Sequence, residues 1–178
     1  MKRLLIAAAA CALIAGCRGQ EQANQAEAPG NQVMPSAETR TAGLGDPVDA
    51  SRAKQLMHER HEGMEEIGDA MKLVSRELKG DSPDLAKVRE GAGEIARLAP
   101  QASGWFPPGT GPDVGKTEAK AEIWQKPEDF AAKNNAFQQA AQRFNAAAQG
   151  QDLVAIRAAH GELGKSCKAC HDPYREEH

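Results

Sequence analysis

Cysteine and aromatic residues are scarce in this sequence: 178 residues hold four cysteines, one tyrosine and an aromatic fraction of 4 %. Two of the cysteines, Cys11 and Cys17, fall in an N-terminal leader, so the rest of the chain keeps two and a disulfide framework is excluded. Long apolar runs are also missing. The run from Leu4 to Gly16 follows Met1-Lys2-Arg3 and is too short to cross a bilayer as a helix. There is no basic excess, with 22 Lys and Arg against 25 Asp and Glu, so the charge balance offers no footprint for nucleic acid. No segment carries a convincing strand pattern, which leaves an all-α chain whose stability comes from a hydrophobic core and whatever that core encloses.

A charged start followed by a short apolar run is a signal peptide over residues 1–16. Its end, Leu13-Ile14-Ala15-Gly16-Cys17, resembles the lipobox of bacterial lipoproteins, which implies cleavage before Cys17 and acylation of that residue; an ordinary cleavable signal with an incidental Cys17 is the alternative. Removal of residues 1–16 leaves 20 basic residues against 25 acidic, a net charge of −5. Residues 17–45 then form the lipidated cysteine and a tether rich in Gln, Ala, Glu, Pro and Gly, with too little apolar surface to fold. As a flexible coil it reaches about 30 Å. The expected location is the periplasmic side of a bacterial membrane, held by lipid. Arg18 is not the Asp that commonly marks inner-membrane retention, so the outer membrane is preferred, with a soluble periplasmic form otherwise.

Residues 46–178 are one domain's worth of chain. Near its end stands Cys167-Lys168-Ala169-Cys170-His171, the spacing of covalent c-type haem attachment. On a helix, residues three and four apart share a face, so both sulfurs and the His171 imidazole point the same way. Each thiol can add to a haem vinyl group, and His171 can reach the iron as proximal ligand. A thioredoxin-like reading lacks a βαβ context, and a zinc reading lacks a second cysteine pair.

Helical periodicity organises the remainder. A first helix is expected from Asp46-Pro47 to Lys79 with the seam Met57, Arg60, Met64, Ile67, Met71, Val74 and Leu78. Ser82-Pro83 opens a second, with Leu85, Val88, Ala92, Ile95, Ala99 and Ala102 inward and its end frayed or kinked at Pro100. Trp105 to Pro112 is a Pro- and Gly-rich crossover, and Thr117 to Gln125 has room for a helical turn. Pro127 starts a third long helix with the stripe Phe130, Asn134, Phe137, Ala141, Phe144 and Ala148. Asp152 caps a fourth with the seam Leu153, Ile156, His160, Leu163, Cys167, Cys170 and Tyr174.

Four long helices, a long crossover after the second, and the haem motif on the last resemble the cytochrome c-prime family, a group of antiparallel four-helix bundles with one covalent haem c near the C-terminus. The resemblance is densest at Arg60-His61-Glu62-Gly63-Met64, at Phe106-Pro107-Pro108-Gly109-Thr110, and at Cys167 to Arg175. It implies that the residue four beyond the first-helix arginine, here Met64, faces the distal side of the haem. In high-spin members this position is usually an apolar or aromatic side chain that cannot coordinate and leaves the iron open to nitric oxide or carbon monoxide. In low-spin members it is a methionine that supplies the sixth ligand, and Gly68 to Lys72 also looks like that branch.

The expectation is therefore a low-spin monohaem cytochrome ligated by His171 and Met64, a single-electron carrier of the envelope and not an enzyme. The alternative is a five-coordinate iron that binds nitric oxide or carbon monoxide, with Met64 only lining the pocket. A methionine on an apolar seam also serves as core filler. His58, His61 and His160 are rivals to Met64 as distal ligand, and His61 in a shifted haem would give a bis-histidine centre of lower potential; the expectation is instead that His61 is a flank or rim residue and His160 a core histidine hydrogen-bonded to a neighbour or water. Arg60, alone among apolar residues, is expected to pair with a haem propionate. The resemblance puts Arg175 beside the proximal imidazole. Redox partners of the envelope are implied, with Lys165 and Lys168 as candidates for a docking patch, and a homodimer through the first two helices is an open possibility.

Overall fold

The computed structural model describes residues 48–177. The signal peptide, Cys17, the tether and the Asp46-Pro47 cap lie outside the described residues. Among the described residues five α-helices follow one another: α1 Ala50–Lys79, α2 Leu85–Leu98, α3 Glu122–Gln125, α4 Pro127–Ala148 and α5 Leu153–Tyr174. The only pairing of strand type among the described residues is a single bridge between Ala119 and Arg175.

Three of the long helices start on an aspartate whose carboxylate takes up N–H groups that the first turn leaves unpaired. Asp49 accepts from Ser51 and Arg52 at 3.0 and 3.1 Å. Asp84 accepts from Ala86 and Lys87 at 2.9 and 3.3 Å. Asp152 accepts from Val154 and Ala155 at 2.9 and 3.2 Å. The first two correct the sequence expectation. Neither Asp46 nor Ser82 starts its helix, because Asp49 and Asp84 stand nearer the apolar register and cap it instead. The fourth long helix, α4, begins on Pro127, whose missing N–H costs nothing there. At Pro100 the chain tightens into a 3₁₀ turn, Ala99–Gly104, rather than continuing α2.

α1 packs on α2, α2 on α4, and α4 on α5. The core is built around Phe144, Ile95, Ile123, Ile156, Leu163, Val74 and Val88, all fully buried. Arginines tie neighbouring helices together through the carbonyls that helix ends leave free. Arg89 of α2 donates to Ala148 O at 3.2 Å, and Arg157 of α5 donates to Leu78 O at 3.2 Å and Gly80 O at 2.8 Å. Arg157 therefore joins α5 to the C-terminal end of α1, where His160 Nε2 and Ser75 Oγ also meet at 3.2 Å. Met57, His61 and Met64 of α1 and Cys167, Cys170 and His171 of α5 lie across a gap from one another. A cleft opens there.

One seam differs from the sequence reading. The buried face of α1 is Ala53, Leu56, Arg60, Gly63, Ile67, Ala70, Val74 and Leu78. Met57, Met64 and Met71 sit one position round the helix and are half-buried along the cleft. Small residues at 63 and 70 explain the rotation, since they let α1 settle against its neighbours on that edge.

Candidate haem site

The cleft has a volume of about 1550 Å³. Ordinary small-molecule sites hold roughly 300–1,000 Å³. Cys167, Cys170 and His171 of α5 line one wall, and Met57, Met64 and Met71 of α1 line another. Phe106, Phe130 and Phe137 supply an apolar back, so a flat, largely hydrophobic guest with a few polar edges is what the space accepts.

Cys167 and Cys170 are free thiols, half-buried and one helical turn apart. Burial pushes both thiols up, Cys170 to about 11, so each is protonated at neutral pH and retains the S–H that addition to a carbon–carbon double bond requires. His171 opens onto the cleft, and its proton affinity is pulled below the ordinary histidine range, first by burial and then by the charge of Arg175. The imidazole is therefore neutral at pH 7, as a nitrogen ligand to a metal must be. Next to it, Tyr174 is buried, packs edge-on against Phe130 at 5.3 Å, and donates its hydroxyl to Asp129. That contact holds the end of α5 against α4.

Arg60 is the least expected occupant of a protein interior. It is buried, and burial pushes its pKa down to about 10. The crossover wraps it. Nη1 donates to Trp105 O at 3.3 Å and to Thr110 Oγ1 at 3.4 Å, and Nη2 to Thr110 O at 3.1 Å and Thr117 Oγ1 at 2.9 Å. The guanidinium also lies 4.9 Å from the centroid of the Phe106 ring. All these partners are neutral, and no ion pair to Arg60 exists among the described residues. A buried cation on the wall of a cleft, held by dipoles alone, fits a guest that brings an anionic edge. The donor set thus suits a porphyrin with vinyl groups on one side and propionates on another.

The crossover earns its composition here. Gly109 has φ 83°, which a glycine adopts without strain, and it brings Thr110 round to Arg60. Trp124 Nε1 donates to the carbonyls of Phe106 and Pro107 at 3.1 and 3.0 Å and fixes the loop from outside. Beyond it, residues 117–120 run beside the end of α5 instead of forming the expected helical turn, which is confined to α3. Lys120 N–H donates to Tyr174 O at 3.0 Å, and Glu176 N–H donates to Glu118 O at 2.8 Å.

His58 and His61 are exposed at the rim and pair with Glu62 and Glu65 one turn on. His160 is half-buried between Ser75 and Phe144 and does not line the cleft. Arg175 lines the cleft and pairs with Glu118. Lys165 and Lys168 make no free positive patch, since they pair with Glu162 and Asp172 at 2.7 and 2.8 Å. Sequence reasoning gave no role to Thr117, Glu118 or Asn134. Asn134 carried a visible signal, an amide on an otherwise apolar stripe; Thr117 and Glu118 carried none, because only the fold brings the crossover to the end of α5.

A family model described as Cytochrome C′ matches residues 55–175. A cytochrome c′ of Pararhodospirillum photometricum is 35 % identical over 117 residues, covering 66 % of this chain and 93 % of that one. Among solved structures, a ferrous arginine-to-lysine variant of cytochrome c prime from Alcaligenes xylosoxidans with bound nitric oxide superposes with a TM-score of 0.64 at 30 % identity, covering 71 % of this chain and 97 % of that one. A further cytochrome c′, described as having a ligand-controlled dimer dissociation, superposes with a TM-score of 0.65 at 29 % identity over 70 % of this chain and 97 % of that one.

Proposed function

The chain belongs to the cytochrome c′ family of monohaem c-type cytochromes, and from that premise we propose that it holds its iron through His171 and leaves the opposite face free to bind nitric oxide or carbon monoxide. The observation that carries this reading is the similarity to a relative solved with nitric oxide bound, at 30 % identity over nearly all of that chain. The cleft supports it, since Met64 is half-buried on the α1 wall of a cleft backed by Phe106, Phe130 and Phe137, an apolar backing that favours a small uncharged guest.

The haem, when bound, supplies the gas-binding and one-electron chemistry. The chain supplies everything else. Cys167 and Cys170 would hold the porphyrin by two thioethers, the thiols supplying both the sulfur and the hydrogen that addition to a vinyl group needs. His171 offers a neutral nitrogen from a rigid helix. Arg60 would neutralise a propionate, with a charge whose position Thr110 and Thr117 fix. Phe106, Phe130 and Phe137 hold the surroundings dry, which strengthens each polar contact at the rim.

A second reading keeps Met64 as sixth ligand, giving a low-spin electron carrier. It is favoured by the placement of a thioether on the cleft wall, with Met57 and Met71 a heptad to either side. Soft sulfur stabilises ferrous over ferric iron and suits electron transfer. The two readings part on gas binding. Anaerobic addition of nitric oxide to the reduced protein is expected to give a stoichiometric nitrosyl spectrum at the first substoichiometric additions; a spectrum unchanged at excess gas would sink the gas-binding reading and leave the electron carrier.

In the cell, we place the domain on the periplasmic side of a bacterial membrane with Cys17 as lipid anchor. No helix among the described residues is long and apolar enough to cross a membrane. Detergent-phase partitioning of the native protein, lost in a Cys17→Ser variant, is the expected result. A homodimer is part of the same proposal, on the likeness to the relative whose dimer responds to ligand.

A further inference from the structure

We infer that Glu118, on the strap formed by residues 117–120, is a positioning residue that fixes the Arg175 guanidinium beside the proximal imidazole and thereby tunes the redox potential of the iron. The inference rests on the reading above in one respect, that the haem stands on His171.

The strap is pinned from both sides. On one side Thr117 Oγ1 accepts from Arg60 at 2.9 Å and from the Ala119 N–H at 3.1 Å. On the other, backbone hydrogen bonds from Lys120 to Tyr174 and from Glu176 to Glu118 flank the bridge between Ala119 and Arg175. Glu118 is thus set in register with Arg175 by main chain before any side chain is considered. Its carboxylate then accepts from Arg175 Nε at 2.7 Å, and Nη2 approaches the same oxygen to 2.6 Å. Both atoms of the fork meet one oxygen, which restrains the direction of the guanidinium as well as its distance.

Arg175 itself is poorly restrained by α5. It lies just past the helix, in extended backbone, with its N–H on His171 O at 2.9 Å and half its side chain exposed. An arginine so placed samples many rotamers unless something holds it. The nearby acid of its own helix, Asp172, is engaged by both its oxygens with Lys168, at 2.8 and 2.9 Å. Glu118 is therefore the carboxylate that determines where the Arg175 charge sits. Arg175, Glu118 and His171 all line the same cleft.

The electrostatic consequence has a definite sign. Reduction removes one positive charge from the iron site, so a cation nearby favours the reduced form and a carboxylate nearby favours the oxidised one. With Glu118 in place the Arg175 charge is largely compensated. Without it the cation stands alone, and its field at the iron also depends on where its freed side chain settles.

The test is a graded series in the haem-loaded full chain, read by midpoint potential at fixed pH and by the iron–histidine stretching band of the ferrous protein. Glu118→Gln is expected to raise the potential and shift and broaden that band. Glu118→Asp, which keeps the charge on a shorter arm, is expected to fall between wild type and Glu118→Gln. In an Arg175→Gln background, Glu118→Gln is expected to leave the band where Arg175→Gln alone puts it, because its effect on the imidazole runs through Arg175. An unchanged potential and band in Glu118→Gln, or a band shift that persists in full in the Arg175→Gln background, would overturn the inference. Should Glu118→Gln fail to retain haem, Glu118→Asp decides alone: a partial shift in the same direction supports it and none overturns it. The midpoint potential can be read whether or not the distal face takes up gas, whereas the iron–histidine band belongs to a five-coordinate ferrous iron, so failure of the gas-binding reading leaves a different trace: a wild-type protein indifferent to nitric oxide, with the graded series read on the midpoint potential alone.

Discussion

Trp105 occupies the space that a side chain at Gly63 would need. A Cβ placed on Gly63 falls 2.4 Å from Trp105 Cη2 and 2.5 Å from Cζ2, so the indole and the α1 backbone are in contact at a point where nothing larger than hydrogen fits. Trp105 is itself buried, and its carbonyl accepts from Arg60. The crossover is thereby clamped to α1 one residue before Met64.

The Gly63→Ala variant is expected to lose about 1–3 kcal/mol of stability, the cost of forcing an extra carbon into a packed contact. Because Met64 follows directly, the same variant is expected to change gas affinity. Denaturant unfolding and the near-ultraviolet circular dichroism of Trp105 read the first effect. A variant as stable as wild type with an unmoved tryptophan band would contradict the contact.

Arg60→Leu removes a buried cation together with donors to three oxygens of the crossover and one of the strap. Hydrogen bonds from a charged group contribute about 1.5–3 kcal/mol each, less the cost of burying the charge. A net loss on the order of 3 kcal/mol is expected, with a lowered haem content and a displaced potential. Unchanged potential and haem retention would count against the propionate pairing.

His160 gives the fold a dependence on acidity. Burial holds its folded pKa below the usual histidine range, so in the native state it stays neutral while the unfolded chain takes up a proton near pH 6.5. Where the unfolded state binds more protons, stability rises with pH. The contribution is present above about pH 6.5 and is lost as pH falls through the unfolded value toward the folded one. Thermal unfolding of haem-loaded protein between about pH 5 and 7.5 is expected to show this slope in wild type and a flatter one in His160→Leu; equal slopes would assign the effect elsewhere.

Much of this was legible before any coordinates. The haem motif, the Asp152 cap, the start of α4 at Pro127 and the break at Pro100 all follow from local chemistry that tertiary contacts do not override. The rotation of α1 did not follow. A seam read as Met57, Arg60, Met64 scores well because methionine counts as apolar, yet burial went to Leu56, Gly63 and Ala70 on the other side of Arg60. Size explains it, since close helix contact favours glycine and alanine, while the cleft accepts long flexible side chains. The Glu118–Arg175 pair was illegible for a different reason. Fifty-seven residues separate the two, and neither sits in a local pattern that points to the other.

Met64→Leu tests the part played by the thioether. With an open distal face the reduced bands are expected to keep their positions, while gas affinity changes several-fold as the wall of the cleft is reshaped. A switch from sharp to broad bands in this variant would mean that sulfur had been on the iron.

The most direct measurement is the visible spectrum of the reduced haem-loaded protein before and after carbon monoxide is added. An iron held by His171 alone gives a broad high-spin spectrum that sharpens and shifts at once with the gas, and this is the predicted result. Sharp, resolved low-spin bands that ignore the gas would contradict it and put Met64 in the sixth position.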